Sequence, residues 1–349
     1  MTSHDRGGAN HPLVELTSAR LREFVREPEA LFWAVVFPIV MSLALAVAFP
    51  ARGTQPVRVG VAPGPQADAV RKTLEATPGI VVREVGPDQM RAIREGEVHL
   101  VVVPGTPPAY RFDSARDESR AARLVVDDAL KRAAGRPDPW TAREEPLDVP
   151  GSRYIDWLIP GILGMNIMST GMWGIGFSIV QARLRKLLKR LVASPMRKRE
   201  YLLAQVIARL IFLAPEVAVT LAFGALVLGM PINGSYGAVG AVCVVGALSF
   251  AGLGLLTASR AASIEAISGI LNLSMLPMWV LSGVFFSTAN FPDVLQPAIQ
   301  TLPLTALNDA LRAVVLEGAT LRAVANEMAL LAVWGVVPFV LALRLFRWQ

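Results

Sequence analysis

The sequence predicts an α-helical polytopic membrane protein: six transmembrane helices with an extracytoplasmic α/β domain inserted among them. Three observations predict it. Hydrophobic residues make up 53% of the chain and charged residues only 18%, against about 25% charged in soluble domains. The charges crowd into residues 13–29, 52–156 and 183–200, where a soluble core would intersperse them. Between these stretches lie apolar runs long enough for a hydrocarbon core of about 30 Å, which needs about 20 helical residues.

Each element follows in chain order. Residues 1–30 read as a cytoplasmic N-terminus. Within it Leu13, Leu16, Leu21, Phe24 and Val25 recur opposite Glu15, Arg20, Arg22 and Arg26. That is the pattern of an amphipathic helix lying in the membrane interface, with an ordinary solvated helix as the other reading. Residues 31–50 form the first span, without a charge. About thirty residues precede it and no small-residue cleavage site follows, so it reads as a retained anchor rather than a signal peptide.

Residues 51–153 read as the extracytoplasmic α/β domain. Strands are expected at Val57–Ala62, Ile80–Val85, His99–Val103 and Tyr110–Ser114, with helices around Ala67–Glu75, Asp88–Glu95 and Glu118–Ala134. The proline-containing stretch Arg136–Pro150 reads as a tether. No phosphate loop, paired catalytic carboxylates or nucleophile–base set is visible there, which leaves a folded spacer or docking domain ahead of a ligand-binding domain.

Residues 154–349 carry five further spans: Ile155–Gln181, Tyr201–Gly229, Tyr236–Ser259, Ile264–Phe286 and Ala325–Leu345. Lys and Arg flank them in the pattern of the positive-inside rule. Arg20, Arg22 and Arg26, the 182–200 loop, Arg260 and Arg347 all fall on one face if the N-terminus is cytoplasmic, while Met230–Ser235 on the other has no basic residue. An even number of spans puts both termini in the cytoplasm. The formal net charge of +6 is explained by these flanks, so no nucleic-acid partner is expected. One cysteine, Cys243, and three scattered histidines, His4, His11 and His99, offer neither a disulfide framework nor metal-ligand spacing.

The loop 182–200 opens as a basic amphipathic helix, with Leu184, Leu187, Leu188 and Leu191 on one stripe, and Ser194-Pro195 stops it. Such a helix either docks into a cytoplasmic partner or presents its stripe to lipid. Charges inside spans are costly, about 2.5–3.5 kcal/mol at the bilayer centre on insertion scales. Glu216, preceded by Pro215 in the third run, is therefore a candidate for the pathway or a subunit interface, with a buried structural hydrogen bond as the alternative. Arg209 lies two helical turns away and is not expected as a simple neighbour. Asp156 and Glu265 sit near span ends, where solvation is expected to make them cheap. Ser282 and Gly283 suit a close helix approach, as does the small pair Gly237 and Ala241, across a dimer or within one bundle. Ser287–Arg322 is amphipathic and bounded by prolines, suggesting either a re-entrant piece or a plain outer loop.

Several of these stretches resemble the ABC-2 type permease family. Lys189–Ala208 is similar to that family's cytoplasmic loop. Leu276–Pro292, with its Ser-Gly-Val-Phe-Phe core, resembles the region around the fifth span and continues through Leu302–Arg312 to Glu317-Gly318. Arg26-Glu-Pro-Glu-Ala-Leu-Phe-Trp33 and Phe37-Pro38 are similar to members with an insert after the first span. Ser287 departs from the family, where a proline is common.

The resemblance implies a bacterial inner-membrane exporter built from two permease units, identical or homologous. It also implies a separate cytosolic ATPase holding ATP and Mg, docked on Arg183, Leu184, Arg185, Leu187, Leu188, Leu191, Pro195 and Arg197. That agrees with the absence of a G-x-x-x-x-G-K-[ST] loop from this chain, which itself is expected to bind no cofactor and catalyse no covalent chemistry. Arg209, Glu216, Ser282 and Gly283 are the pathway or interface candidates. The expected cargo is an amphipathic or hydrophobic compound. Export of a lipid-linked glycan or other envelope component is a second reading, and a membrane sensor or assembly scaffold a third.

Overall fold

The computed structural model describes residues 12–48, 56–85, 88–137, 153–192 and 198–346. They fall into two compact units, one drawn from residues 1–51 and 148–349 and the other from 52–147.

The first unit begins with α1 (Pro12–Arg26) and α2 (Pro28–Leu31). Glu27 between them is extended, because a residue before proline is pushed out of the helical region. Leu13, Leu16 and Leu21 are half-buried and Arg22 exposed; the side chain of Phe24 lies outside the described residues. A single π-helical stretch, Phe32–Val36, then leads into α3 (Phe37–Ala48). Pro38 has no N–H to return to Ala34, so the regular ladder cannot run through this point.

The 52–147 unit is built from β1 (Val57–Val61), α4 (Ala67–Glu75), β2 (Ile80–Arg83), α5 (Gln89–Arg94), β3 (Leu100–Val103), β4 (Ala109–Phe112) and α6 (Asp117–Ala133). The sheet order is β2-β1-β3-β4, with the first three strands parallel and β4 antiparallel at one edge. Alternation along the strands serves two cores. Val59, Val61, Leu100 and Val102 face Leu74 of α4 and Val126 of α6, whereas Val101 faces Ile93 of α5.

The first unit resumes with α7 (Tyr154–Leu184), α8 (Leu187–Val192), α9 (Lys198–Leu226), α10 (Tyr236–Ala258), α11 (Ile264–Leu281), α12 (Gln296–Gln300), α13 (Pro303–Val315) and α14 (Ala325–Leu345). Among the described residues, five helices of this unit are long and apolar enough to cross a membrane: Tyr154–Leu184, Glu200–Leu226, Tyr236–Ala258, Ile264–Leu281 and Ala325–Leu345. The apolar helix Phe32–Ala48 is shorter. At 31 residues α7 is about 46 Å long. It carries buried residues on every side, as a helix at the centre of a bundle does.

Close helix crossings use glycine. A Cβ on Gly254 of α10 would sit 3.0 Å from the carbonyl oxygen of Gly171 in α7, and one on Gly252 would press on the carbonyl of Gly335 in α14. Gly237, by contrast, opens outward, with only Ser235 Oγ in reach at 3.6 Å. The segment 287–322 is largely helical. Two short 3₁₀ turns and α12 lead into α13, which is buried on nearly all sides against α7, α10 and α14.

Candidate functional site

A line of polar groups crosses the apolar interior of the first unit. It starts at the break before α3. The oxygen of Ala34, which in a regular helix the N–H of residue 38 would serve, accepts from Asn166 Nδ2 of α7 at 2.7 Å. One turn on, Thr170 donates to the Asn166 carbonyl at 2.7 Å, and its Oγ1 lies 3.3 Å from Glu216 Oε1 of α9. Glu216 in turn accepts from Arg209 Nη1 at 2.6 Å. The two side chains are 7% and 2% exposed.

Arg209 and Glu216 are not neighbours on one turn, but their separation of seven residues is close to two turns. Both lie on one helix face, and the long guanidinium stem covers the rise of about 10 Å between them. The pair is incompletely served: Arg209 Nε and Nη2 are buried without a hydrogen-bond partner. In a medium of low dielectric such donors are expensive to leave unmade. Pro215, between the two charges, withdraws a backbone N–H from the same helix.

A second buried cation lies at the opposite end of α7 from α8. Arg312 of α13 stands 3.4 Å over the ring of Trp157 and donates through Nε to the Trp157 carbonyl at 3.3 Å. Its Nη2 donates to the carbonyl of Gly283. Asn308, one turn earlier, donates to the Ser282 carbonyl at 2.9 Å. Ser282 and Gly283 thus form the junction at which α11 ends on α13. Gly283 is left-handed, with φ of 71°, as a residue just past a helix end commonly is.

Nearby, Asp156 departs from the expectation of a solvated span end. It is 2% exposed and held by Arg153 through Nε at 2.9 Å and Nη2 at 2.7 Å. The cause is a fork three residues upstream that lets the carboxylate be buried as a bidentate pair. Glu265 is exposed, as expected.

The residues expected to dock a partner divide. Leu184, Arg185 and Leu187 are exposed, while Leu188 is buried in the bundle core. The stripe is split because α7 and α8 are separate helices, broken at Lys186 with φ of 58°. Arg183 points inward. Its guanidinium donates to the carbonyls of Ala258 at 3.1 Å, Ser259 at 3.2 Å and Ala261, at the end of α10. It also lies over the Phe346 ring at 5.5 Å. Pro195 and Arg197 lie outside the described residues, as does the side chain of Leu191.

Sequence reasoning missed Asn166, Thr170, Asn308 and Arg312. Asn166 and Thr170 carried a readable signal, two polar residues four apart in an apolar run.

Long apolar helices with charged groups sealed between them define a polytopic membrane protein. The family model described as "ABC-2 family transporter protein" matches residues 28–344. The chain belongs to that family, whose members are membrane transport components that generally work with a cytosolic ATPase. No curated protein matches the chain.

Proposed function

We propose that this chain is the permease subunit of an ATP-binding cassette exporter, in which two permease chains, identical or homologous, flank a pathway for an amphipathic or hydrophobic compound. Phe32–Ala48 is then the first of six spans. Both termini and the 182–200 loop face the cytoplasm, and residues 51–153 lie outside it. A separate cytosolic ATPase supplies ATP and Mg chemistry from beneath α8. The observation that carries the reading is the Arg209–Glu216 pair, two charges buried inside a span. A purely structural membrane helix avoids that cost, and a pathway or moving interface uses it.

The exposed Leu184, Arg185 and Leu187, on either side of the break at Lys186, support docking of the ATPase at this loop. Ser282 and Gly283 belong to the far end of the pathway, where Asn308 holds the first and Arg312 the second.

Reconstitution with the cognate cytosolic ATPase tests this. ATP turnover stimulated by the permease, and accumulation of a compound from an amphiphile panel inside inverted vesicles, are expected. A chain that neither binds nor stimulates the ATPase would end the exporter reading. ATPase binding that survives Leu184→Glu with Leu187→Glu would end the docking reading.

A further inference from the structure

A cavity of about 240 Å³ opens between α1, α7, α8 and α9. Its walls include Leu16 and Arg20 of α1, Arg185 just past the end of α7, Leu187 and Arg190 of α8, and Tyr201 of α9. Three guanidinium groups line it and no carboxylate does. Arg20 is positioned rather than free. Its Nε donates to Gln205 Oε1 at 2.7 Å, and Ser178 Oγ donates to the same oxygen at 3.3 Å. Arg185 and Arg190 are exposed, and among the described residues no side chain accepts a hydrogen bond from either.

We infer that this cavity binds the headgroup of an anionic phospholipid. The shape and chemistry agree on such an occupant. Planar arginine forks match phosphate oxygens two at a time, and three arginines line this one space. The rest of the wall is largely apolar, contributed by Leu16, Ala19, Ala182 and Leu187, which suits the glycerol and first methylenes of a lipid and not a fully hydrated ion. At about 30 Å³ per water the volume corresponds to about eight waters. That is room for a phosphate and its glycerol ester, with the acyl chains lying outside along the helices. The amphipathic α1 forms one wall, and a helix of that kind rests at headgroup depth. The inference rests on the cytoplasmic placement of this end proposed above.

The test uses the full-length chain without any ATPase. The detergent-purified protein is delipidated and exposed to mixed micelles of phosphatidylglycerol and phosphatidylcholine, and retained lipid is counted by native mass spectrometry. Wild type is expected to retain phosphatidylglycerol preferentially. Each arginine near a headgroup is worth about fivefold in affinity, so Arg185→Gln with Arg190→Gln lowers the preference about thirtyfold. Both positions are exposed, so the variant is expected to fold, and its melting temperature in phosphatidylcholine micelles checks this. Arg22→Gln with Arg260→Gln removes two exposed charges outside the cavity and is expected to leave the preference intact.

A preference unchanged in the first variant, or lost equally in the second, overturns the site. Loss of the retained phosphatidylglycerol on addition of inorganic phosphate overturns the assignment to lipid. Failure of the ATPase to bind would end the exporter reading while leaving a measured lipid preference untouched.

Discussion

Asn166 Nδ2 donates at 2.7 Å to the Ala34 carbonyl, the oxygen from which Pro38 withholds a helical N–H. A side chain of one helix thereby completes the backbone of another, and the proline and the asparagine are linked. Asn166→Ala is expected to cost about 1–3 kcal/mol, the penalty of an orphaned buried acceptor. In a Pro38→Ala background the restored N–H competes for the same oxygen, so the cost shrinks. A double-mutant cycle on detergent melting measures it; additive effects would remove the proline from the account.

Glu216→Gln leaves the Arg209 charge buried without its counter-charge, on a guanidinium whose Nε and Nη2 are already unserved. The expected destabilisation is about 3–5 kcal/mol. Arg209→Met with Glu216→Leu should restore most of the stability. Transport by that stable double variant separates the readings: reduced export assigns the pair to the pathway, and normal export makes it structural.

Arg312 depends on a planar fork as well as a charge, stacked on Trp157 and bonded to Gly283. Arg312→Lys is therefore expected to lose about 2–3 kcal/mol despite keeping the charge. Comparable melting temperatures for wild type and the lysine variant would show that charge alone suffices.

Two glycines of α10 should respond in opposite directions to one methyl group. Gly252→Ala drives a Cβ into the Gly335 carbonyl and is expected to destabilise by about 1–3 kcal/mol. Gly240→Ala meets nothing within 4 Å and is expected to stabilise slightly through helix propensity. Equal shifts would mean that the α10–α14 crossing is looser than described.

His99 gives the 52–147 unit a pH dependence. Its Nδ1 accepts from the Arg58 N–H at 3.2 Å. Burial, then the Arg58 charge, hold its pKa below the ordinary value of 6.5. A depressed histidine favours the neutral form in the folded state. Its contribution is thus complete above pH about 6.5 and is lost as pH falls through the folded value. The protection factors of amides in peptides covering 57–61 and 99–103 in the intact protein, corrected for the slower intrinsic exchange in acid, should fall on acidification. His99→Gln should flatten that response; an identical acid response in the variant would dismiss the histidine.

Much of this was legible beforehand, for identifiable reasons. Apolar length locates helices such as Tyr236–Ala258, and alternation locates Val57–Val61, because one-dimensional patterns map directly onto those shapes. Charge inside a span marks Glu216 as costly whatever surrounds it. What stayed hidden depends on which helices meet. Arg312 lies in an amphipathic stretch that reads equally well as a loop, and only the packing of α13 buries it. The small pair Gly237 and Ala241 has the spacing of a contact, but the close approaches fall at Gly171, Gly252 and Gly254. Asp156 was misjudged through its position alone, although Arg153 stood three residues away. The leucine stripe assumed one continuous helix, which the left-handed Lys186 interrupts.

Arg183 sits one turn before that interruption, riveted to the carbonyls of Ala258, Ser259 and Ala261 and capped by the Phe346 ring. The consequence is mechanical. A pull applied at α8 is not absorbed by a slack loop; it arrives at the turn joining α10 to α11 and at the last helix together. Three stretches far apart in the chain share one anchor bolt, and loosening it would let the handle turn without moving the door.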